Sequence, residues 1–111
     1  MTFGGKRRSD TPKRMREFQL SKTAESDISL IADYTIFKFG IGQARKYRNG
    51  LIDTFNRLAL NPKLGRAFMM PSNIGLKRYR YEAHMVFYKE TSTGILIVRV
   101  LGGMMDFKRH L

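Results

Sequence analysis

The chain has no cysteine, only two histidines, and nine acidic residues against twenty-one basic ones. Each shortage excludes something. Without cysteine there are no disulfides and no thiolate metal sites, a composition that suits a reducing cytoplasm. His84 and His110 share no ligand spacing with each other or with a carboxylate cluster, so no metal centre is expected. No apolar run approaches the length of a bilayer span, and the N-terminus lacks the apolar core of a signal peptide. Neither a P-loop nor a dinucleotide-binding glycine pattern is present, and no cofactor is expected.

What is left is one small basic domain. A length of 111 residues suits a single domain. A hydrophobic content of 42% supports one modest core, although a chain this short buries only about 60–65% of its unfolded surface. The formal net charge of +12 attracts polyanions: nucleic acid, an acidic protein or anionic lipid. A ribosomal-type or merely soluble basic protein would carry the same charge. Residues 1–15, "MTFGGKRRSDTPKRM", have no apolar period and hold five basic residues against Asp10, which reads as a disordered basic arm. The domain proper is then 16–111. Without the arm, sixteen basic and eight acidic residues remain, so the fold itself carries +8.

Within that domain, "REFQL" (16–20) alternates as a short strand should. Ser21 offers an N-cap, and Glu25 and Asp27 suit the positive end of a helix dipole. The spacing predicts a helix to about Phe39, with Ala24, Ile28, Ile31, Ala32, Thr35 and Phe39 on one face. A second apolar stripe, Leu30, Tyr34 and Phe37, occupies the opposite face, where a solvated helix should be polar. Burial between a sheet and another helix is the simpler explanation for most of that stripe; contact with a partner is the sharper one. "FGIG" (39–42) breaks the helix, with Gly40 suited to a left-handed cap. A second helix is predicted from about Gln43 to Leu60, with an apolar stripe of Ala44, Tyr47, Leu51, Phe55 and Leu58. Its other side carries Arg45, Lys46, Asn49, Asp53, Asn56 and Arg57, and Gly50 in its middle points to a close helix–helix approach. Residues 61–75 read as a loop tucked onto the core by Phe68, Met69 and Met70. Strands at 76–81, 84–90 and 95–101 follow as an antiparallel meander. The fold class is α+β: an N-terminal strand, then an antiparallel two-helix hairpin packed on a small antiparallel sheet.

Chemistry is thin on this scaffold. A metal-free ribonuclease needs a general base, a general acid and cations aimed at phosphate. Arg78, Arg80 and Arg99 could supply phosphate contacts, but no base–acid pair is evident. Arg99 stands in an otherwise aliphatic run and needs a partner, for which Asp106 and Glu82 are the candidates. His84 opens a strand and reads as a satisfied structural residue; His110 lies next to the last residue, where precision is poor. The alternation in "KRYRY" offers rings on which bases could stack, yet it suits a half-covered sheet equally well.

Five stretches taken in order resemble the ParE toxins of the RelE/ParE type II toxin–antitoxin superfamily. They are "LSKTAESDISLIADYT" (20–35), "FGIGQARKY" (39–47), "LALNPKLGR" (58–66), "NIGLKRYRYEAHMVFYKE" (73–90) and "ILIVRVLGGMMDFKRHL" (95–111). The resemblance implies a helical hairpin on an antiparallel sheet, and a bacterial cytoplasmic toxin, serving plasmid or chromosome maintenance, held by a cognate ParD-like antitoxin in a hetero-oligomer. ParE toxins poison DNA gyrase; RelE toxins cut mRNA on the ribosome, with a catalytic Tyr, often beside His, at the end of the last strand. The corresponding segment here, Leu101 to Asp106, contains neither. The ending is therefore ParE-like: a gyrase inhibitor acting by binding, with no catalytic residue. One departure is Gly102-Gly103, where ParE-like chains often carry His-Gly. The candidate target surface is Arg99, Met104, Met105, Lys108, Arg109 and His110. Candidate antitoxin contacts are Leu30, Tyr34, Phe37, Arg45 and Arg57. Direct nucleic-acid binding is left open. The alternatives are a ribosome-dependent mRNA endoribonuclease using Arg78, Arg80 and Arg99, and an inactive relative that only binds its antitoxin.

Overall fold

The computed structural model describes residues 16–103 and 107–111, without the side chains of Phe107 and Lys108. The basic arm of residues 1–15, together with Met104, Met105 and Asp106, lies outside the described residues. The elements are β1 (Glu17–Leu20), α1 (Lys22–Phe39), α2 (Ile41–Leu60), a 3-10 turn (Pro62–Leu64), β2 (Arg66–Ala67), β3 (Lys77–Tyr81), β4 (His84–Thr91), β5 (Gly94–Gly102) and α3 (Phe107–His110). The five strands form one sheet in the order β1-β5-β4-β3-β2. The α+β class and the helix hairpin stand as expected. The sheet differs from the expected antiparallel one: β1 joins β5 in parallel, so the sheet is mixed. A parallel neighbour requires a long crossover, and the helix hairpin and meander between β1 and β5 supply it.

Ser21 organises the junction of β1 and α1. Its hydroxyl oxygen accepts from Ala24 N at 2.9 Å, capping the helix, while its hydroxyl donates to the Val98 carbonyl at 2.8 Å. Gly40 separates the helices with φ 90° and ψ 167°, a positive-φ break but not the expected left-handed helical cap, and α2 begins at once at Ile41. Both helices pack on one face of the sheet. Ala24, Leu51, Phe55, Leu58 and Ala59 meet Val86, Tyr88, Ile95, Ile97 and Val100 there. Burying Phe55 and Tyr88 completely removes large apolar surfaces from water, worth about 2–3 kcal/mol each. Tyr88 keeps its hydroxyl satisfied by donating to the Pro62 carbonyl at 2.7 Å and accepting from Gly65 N at 2.8 Å, which ties the 3-10 turn to the sheet.

Several packing expectations are corrected. Phe39, assigned to the inner face of α1, is exposed, because it ends the helix at the hairpin tip. The outer stripe is not buried by another layer: Leu30, Tyr34 and Phe37 are 67%, 59% and 87% exposed. Gly50 does admit a close approach, but from the sheet rather than from α1; a Cβ there would overlap the Tyr81 hydroxyl. Between β2 and β3, Phe68 packs edge-on against Phe87 at 5.2 Å and Leu76 is buried, whereas Met69 is exposed. The helix-free face of the sheet holds a smaller cluster, Leu76, Met85, Phe87 and Leu101, joined by Phe68, Val98 and Leu111.

Candidate functional site

The polar centre lies where α1 crosses the β5 edge. β1 pairs with β5 only as far as Ile97, after which the chain turns into α1. The β5 edge beyond that point needs other partners. Asp27 provides one: its Oδ2 accepts from Val100 N at 3.0 Å. The same carboxylate grips Arg99 with two hydrogen bonds, Nε to Oδ2 at 2.8 Å and Nη2 to Oδ1 at 2.9 Å. Arg99's third nitrogen, Nη1, donates to the His110 carbonyl at 2.7 Å, so the same guanidinium fastens α3 to the sheet edge. Asp27 is buried and Arg99 half-buried, and the hydrogen bonds to Asp27, ahead of any other influence, raise the Arg99 pKa. Arg99 remains charged at any physiological pH. Its partner is thus Asp27 and not Glu82; Asp106, the other candidate, is among the residues not described.

A second polar pair flanks the first. Tyr47 Oη lies 2.6 Å from His84 Nδ1. Burial lowers the His84 pKa from its ordinary 6.5, so the ring is neutral at pH 7, and burial raises that of Tyr47, which keeps its proton. The two groups share one hydrogen bond, and the Tyr47 hydroxyl also reaches the Tyr81 carbonyl at 3.4 Å. Tyr81 Oη in turn donates to the Tyr47 carbonyl at 3.2 Å, binding α2 to β3. His84 is the satisfied structural residue expected from its place at a strand start.

These groups border a groove of about 400 Å³ lined by Asp27, Leu30, Ile31, Tyr34, His84, Arg99, Val100, Leu101, Gly102 and His110. It joins residues expected to serve different partners: Leu30 and Tyr34 from the outer stripe, Arg99 and His110 from the C-terminal set. Phe37 lies further along α1, on the way to the hairpin tip, and Arg109 is exposed on α3. Of the other expected antitoxin contacts, Arg45 is exposed near the start of α2, while Arg57 donates to Tyr79 Oη at 3.1 Å about 18 Å further along that helix. Arg78 and Arg80 stand together on the helix-free face, while Arg99 lies two strands away and is held by Asp27. Gly102, expected as a flexible exit, is the last residue of β5, and Gly103 N donates to the Ala83 carbonyl at 2.9 Å.

Asp27 and Tyr47 are the site residues that sequence reasoning placed elsewhere, one at a helix dipole and one in a core stripe. A signal for Asp27 existed: it falls between Ala24 and Ile31 on the inner face, where a carboxylate requires a cation or an N–H group. Among the described residues no group of three or more His, Asp and Glu side chains gathers as a metal site would require. None of the described helices is long and apolar enough to cross a membrane.

The order of elements, the locked Asp27–Arg99 pair and a C-terminal segment docked beside an exposed helical stripe can be set against known proteins. A family model described as ParE toxin of type II toxin–antitoxin system, parDE, matches residues 18–107. This chain belongs to the ParE toxin family. Toxin ParE1 of Mycobacterium tuberculosis (strain CDC 1551 / Oshkosh) is 34% identical over 97 residues, covering 85% of this chain and 96% of the relative. Toxin ParE1 of Caulobacter vibrioides is 30% identical over 99 residues, covering 87% and 99%. A solved structure titled "Chromosomal ParDE TA system from P. aeruginosa" superposes with a TM-score of 0.67 at 20% identity, over 79% of this chain and 96% of that one, and so shares the fold. The ParE family and the strand–hairpin–sheet architecture read from sequence are both upheld.

Proposed function

We propose that this ParE-family chain inhibits DNA gyrase by binding it, without catalysis of its own, in the cytoplasm, and that a ParD-like antitoxin neutralises it. The observation that carries this reading is the internal satisfaction of the polar centre. Acid–base cleavage of RNA requires a base and an acid free to exchange protons with substrate. Here Arg99 is held by Asp27 and the His110 carbonyl, and the Nδ1 of neutral His84 is taken by Tyr47. The Arg99 contacts tie the C-terminal segment to the sheet edge, and the Tyr47–His84 contact ties α2 to β4. Arg99 acts through that segment, fixing the exposed Arg109 and His110 for contact with the target; Met104, Met105 and Lys108 complete the proposed surface.

The antitoxin is proposed to cover the outer stripe of α1. Leu30, Tyr34 and Phe37 expose apolar area that a lone solvated helix has no reason to carry. An amphipathic helix of the antitoxin would bury it, with acidic side chains meeting Arg45 and Arg57 on α2.

A supercoiling assay with purified gyrase tests the reading. Inhibition at near-stoichiometric toxin, relieved by the antitoxin, is expected. Absence of inhibition at stoichiometric excess, together with discrete cuts in translated mRNA by primer extension, would move the assignment to the ribosome-dependent nuclease. Growth unaffected by expression would leave an inactive relative that only binds its antitoxin.

A further inference from the structure

The helix-free face of the sheet carries a row of arginines that the gyrase reading does not use; within the fold Arg80 Nη1 donates to the Glu82 carbonyl at 3.3 Å and Arg78 lies over the Phe68 ring. In the register, Arg66 of β2 stands directly opposite Arg78 of β3. Arg80 follows two residues along β3 and therefore shares that face. Directly opposed residues on neighbouring strands hold their Cβ atoms about 4.5–5.5 Å apart, and like charges so placed destabilise the sheet. Among the described residues no carboxylate pairs with any of the three; the ion pairs there are Arg16–Glu90 and Arg99–Asp27. Glu82, in the adjoining turn, exerts its charge on Tyr47 and Tyr81, on the helix side. The three guanidinium groups border an open concavity of about 350 Å³ together with Leu64, Tyr79 and Met85.

The chemistry of this row selects its ligand. All three cations are arginine, whose planar fork matches phosphate oxygens and is weakly hydrated. Base stacking has no platform here. Tyr79 and Tyr81 pack towards the helices, Phe87 is fully buried, and Phe68 is covered on one side by Phe87 and by the Arg78 guanidinium at 5.7 Å. An acidic protein would seek a desolvated apolar centre, but of the apolar lining residues Met85 is buried, Tyr79 is half-buried and packs towards the helices, and Leu64 is left as the exposed one. We infer that Arg66, Arg78 and Arg80 form a binding row for the phosphate backbone of duplex DNA, read without regard to sequence. The net charge of +8 on the folded domain would draw such a polyanion in.

The test uses the full chain and a labelled 20-base-pair duplex, with no gyrase or antitoxin present, so its result is independent of the gyrase reading. Binding is followed by fluorescence anisotropy from 50 to 200 mM salt. Each phosphate neutralised on duplex DNA contributes about 0.9 to the slope of log affinity against log salt, so three contacts contribute about 2.7. The triple variant Arg66→Gln, Arg78→Gln, Arg80→Gln should lose about that much slope and at least tenfold in affinity at 50 mM salt. A variant with equal charge loss elsewhere, Lys38→Gln, Lys46→Gln, Arg48→Gln, should keep its slope within about 0.5 of the parent. If the triple variant does not fold, Arg66→Gln alone, at an exposed side chain, should still reduce the slope by about 0.9. Equal losses in both triple variants would overturn the proposal, since net charge would then suffice. So would tighter binding of a single-stranded oligonucleotide through the same arginines, or equal binding of polyglutamate of matched charge, which would mark an acidic protein as the ligand.

Discussion

The two faces of the sheet are built to different ends. The helix-covered face is a continuous apolar layer in which Phe55, Leu58, Val86, Tyr88, Ile95 and Ile97 are essentially inaccessible, and the polar atom of Tyr88 is satisfied. The opposite face has a four-residue core under Phe68 and Leu111, and beyond it cations with no carboxylate against them among the described residues. A face that existed only for stability would bury more and would separate Arg66 from Arg78. The larger core lies on one side, while cations without a carboxylate partner among the described residues lie on the other and exposed apolar side chains line the outer face of α1.

That division can be attacked first where the effect should be largest. Phe55→Ala removes a fully buried ring from the covered face and should cost about 4 kcal/mol, read from the urea midpoint. Phe87→Ala, on the open face, should cost less, about 3 kcal/mol, because the 67–76 loop can settle into the space. A larger loss at Phe87 would show the open face to be the stability core. Next comes the edge between the faces. Asp27→Ala leaves the Arg99 guanidinium and the Val100 N–H without their acceptor and should cost about 3 kcal/mol. It should also raise amide exchange in α3, since Arg99 would no longer be held against the His110 carbonyl; unchanged exchange would remove the tethering role. Gly50→Ala is smaller. Alanine favours a helix by about 1 kcal/mol, but its Cβ would collide with the Tyr81 hydroxyl, and overpacking costs about 1–3 kcal/mol. A net loss near 1 kcal/mol is expected, and it should turn into a gain when Tyr81→Ala is added as background.

How much of this was legible beforehand varies with the range of the interaction. Ser21 as cap, the break at "FGIG", the turn at Glu82-Ala83 and the meander are short-range features, and the chain states them locally. The parallel insertion of β1 beside β5 was not legible, because its partner lies beyond two helices and three strands and nothing in "REFQL" encodes direction. The Asp27–Arg99 pair spans a comparable separation. Arg99 announced its need for a partner by standing in an aliphatic run, yet the nearer carboxylates drew attention first. Gly50 showed that something approaches α2 closely, but a missing side chain does not say what fills the space. The outer stripe of α1 was visible as a pattern, while its exposure followed only from the absence of a layer over it among the described residues.

A pH experiment sharpens the contrast at the groove. His84 has a folded-state pKa below its unfolded value of 6.5, because burial penalises the charged ring. The unfolded chain therefore binds the extra proton first as pH falls. The His84 contribution is fully present above about pH 6.5 and is lost as pH drops below it towards the folded-state pKa. Parent and His84→Gln should be compared by urea midpoint between pH 8 and 5. The parent should lose more stability on acidification, and parallel curves would mean that the ring titrates as it does in water.

The smallest expected change in stability is the one that separates surface from core. Phe37 is 87% exposed, so Phe37→Glu removes little buried area and should shift stability by no more than about 0.5 kcal/mol. If the α1 stripe is where the antitoxin docks, the same substitution buries a carboxylate against an apolar partner surface and should weaken the complex at least tenfold, measured by titration calorimetry. Binding that survives intact would place the antitoxin elsewhere, with the arginines of α2 the next surface to test. A stability loss of several kcal/mol would show that Phe37 is covered in solution. The two readouts move independently because a residue outside the core can be costly to change only when something else must cover it.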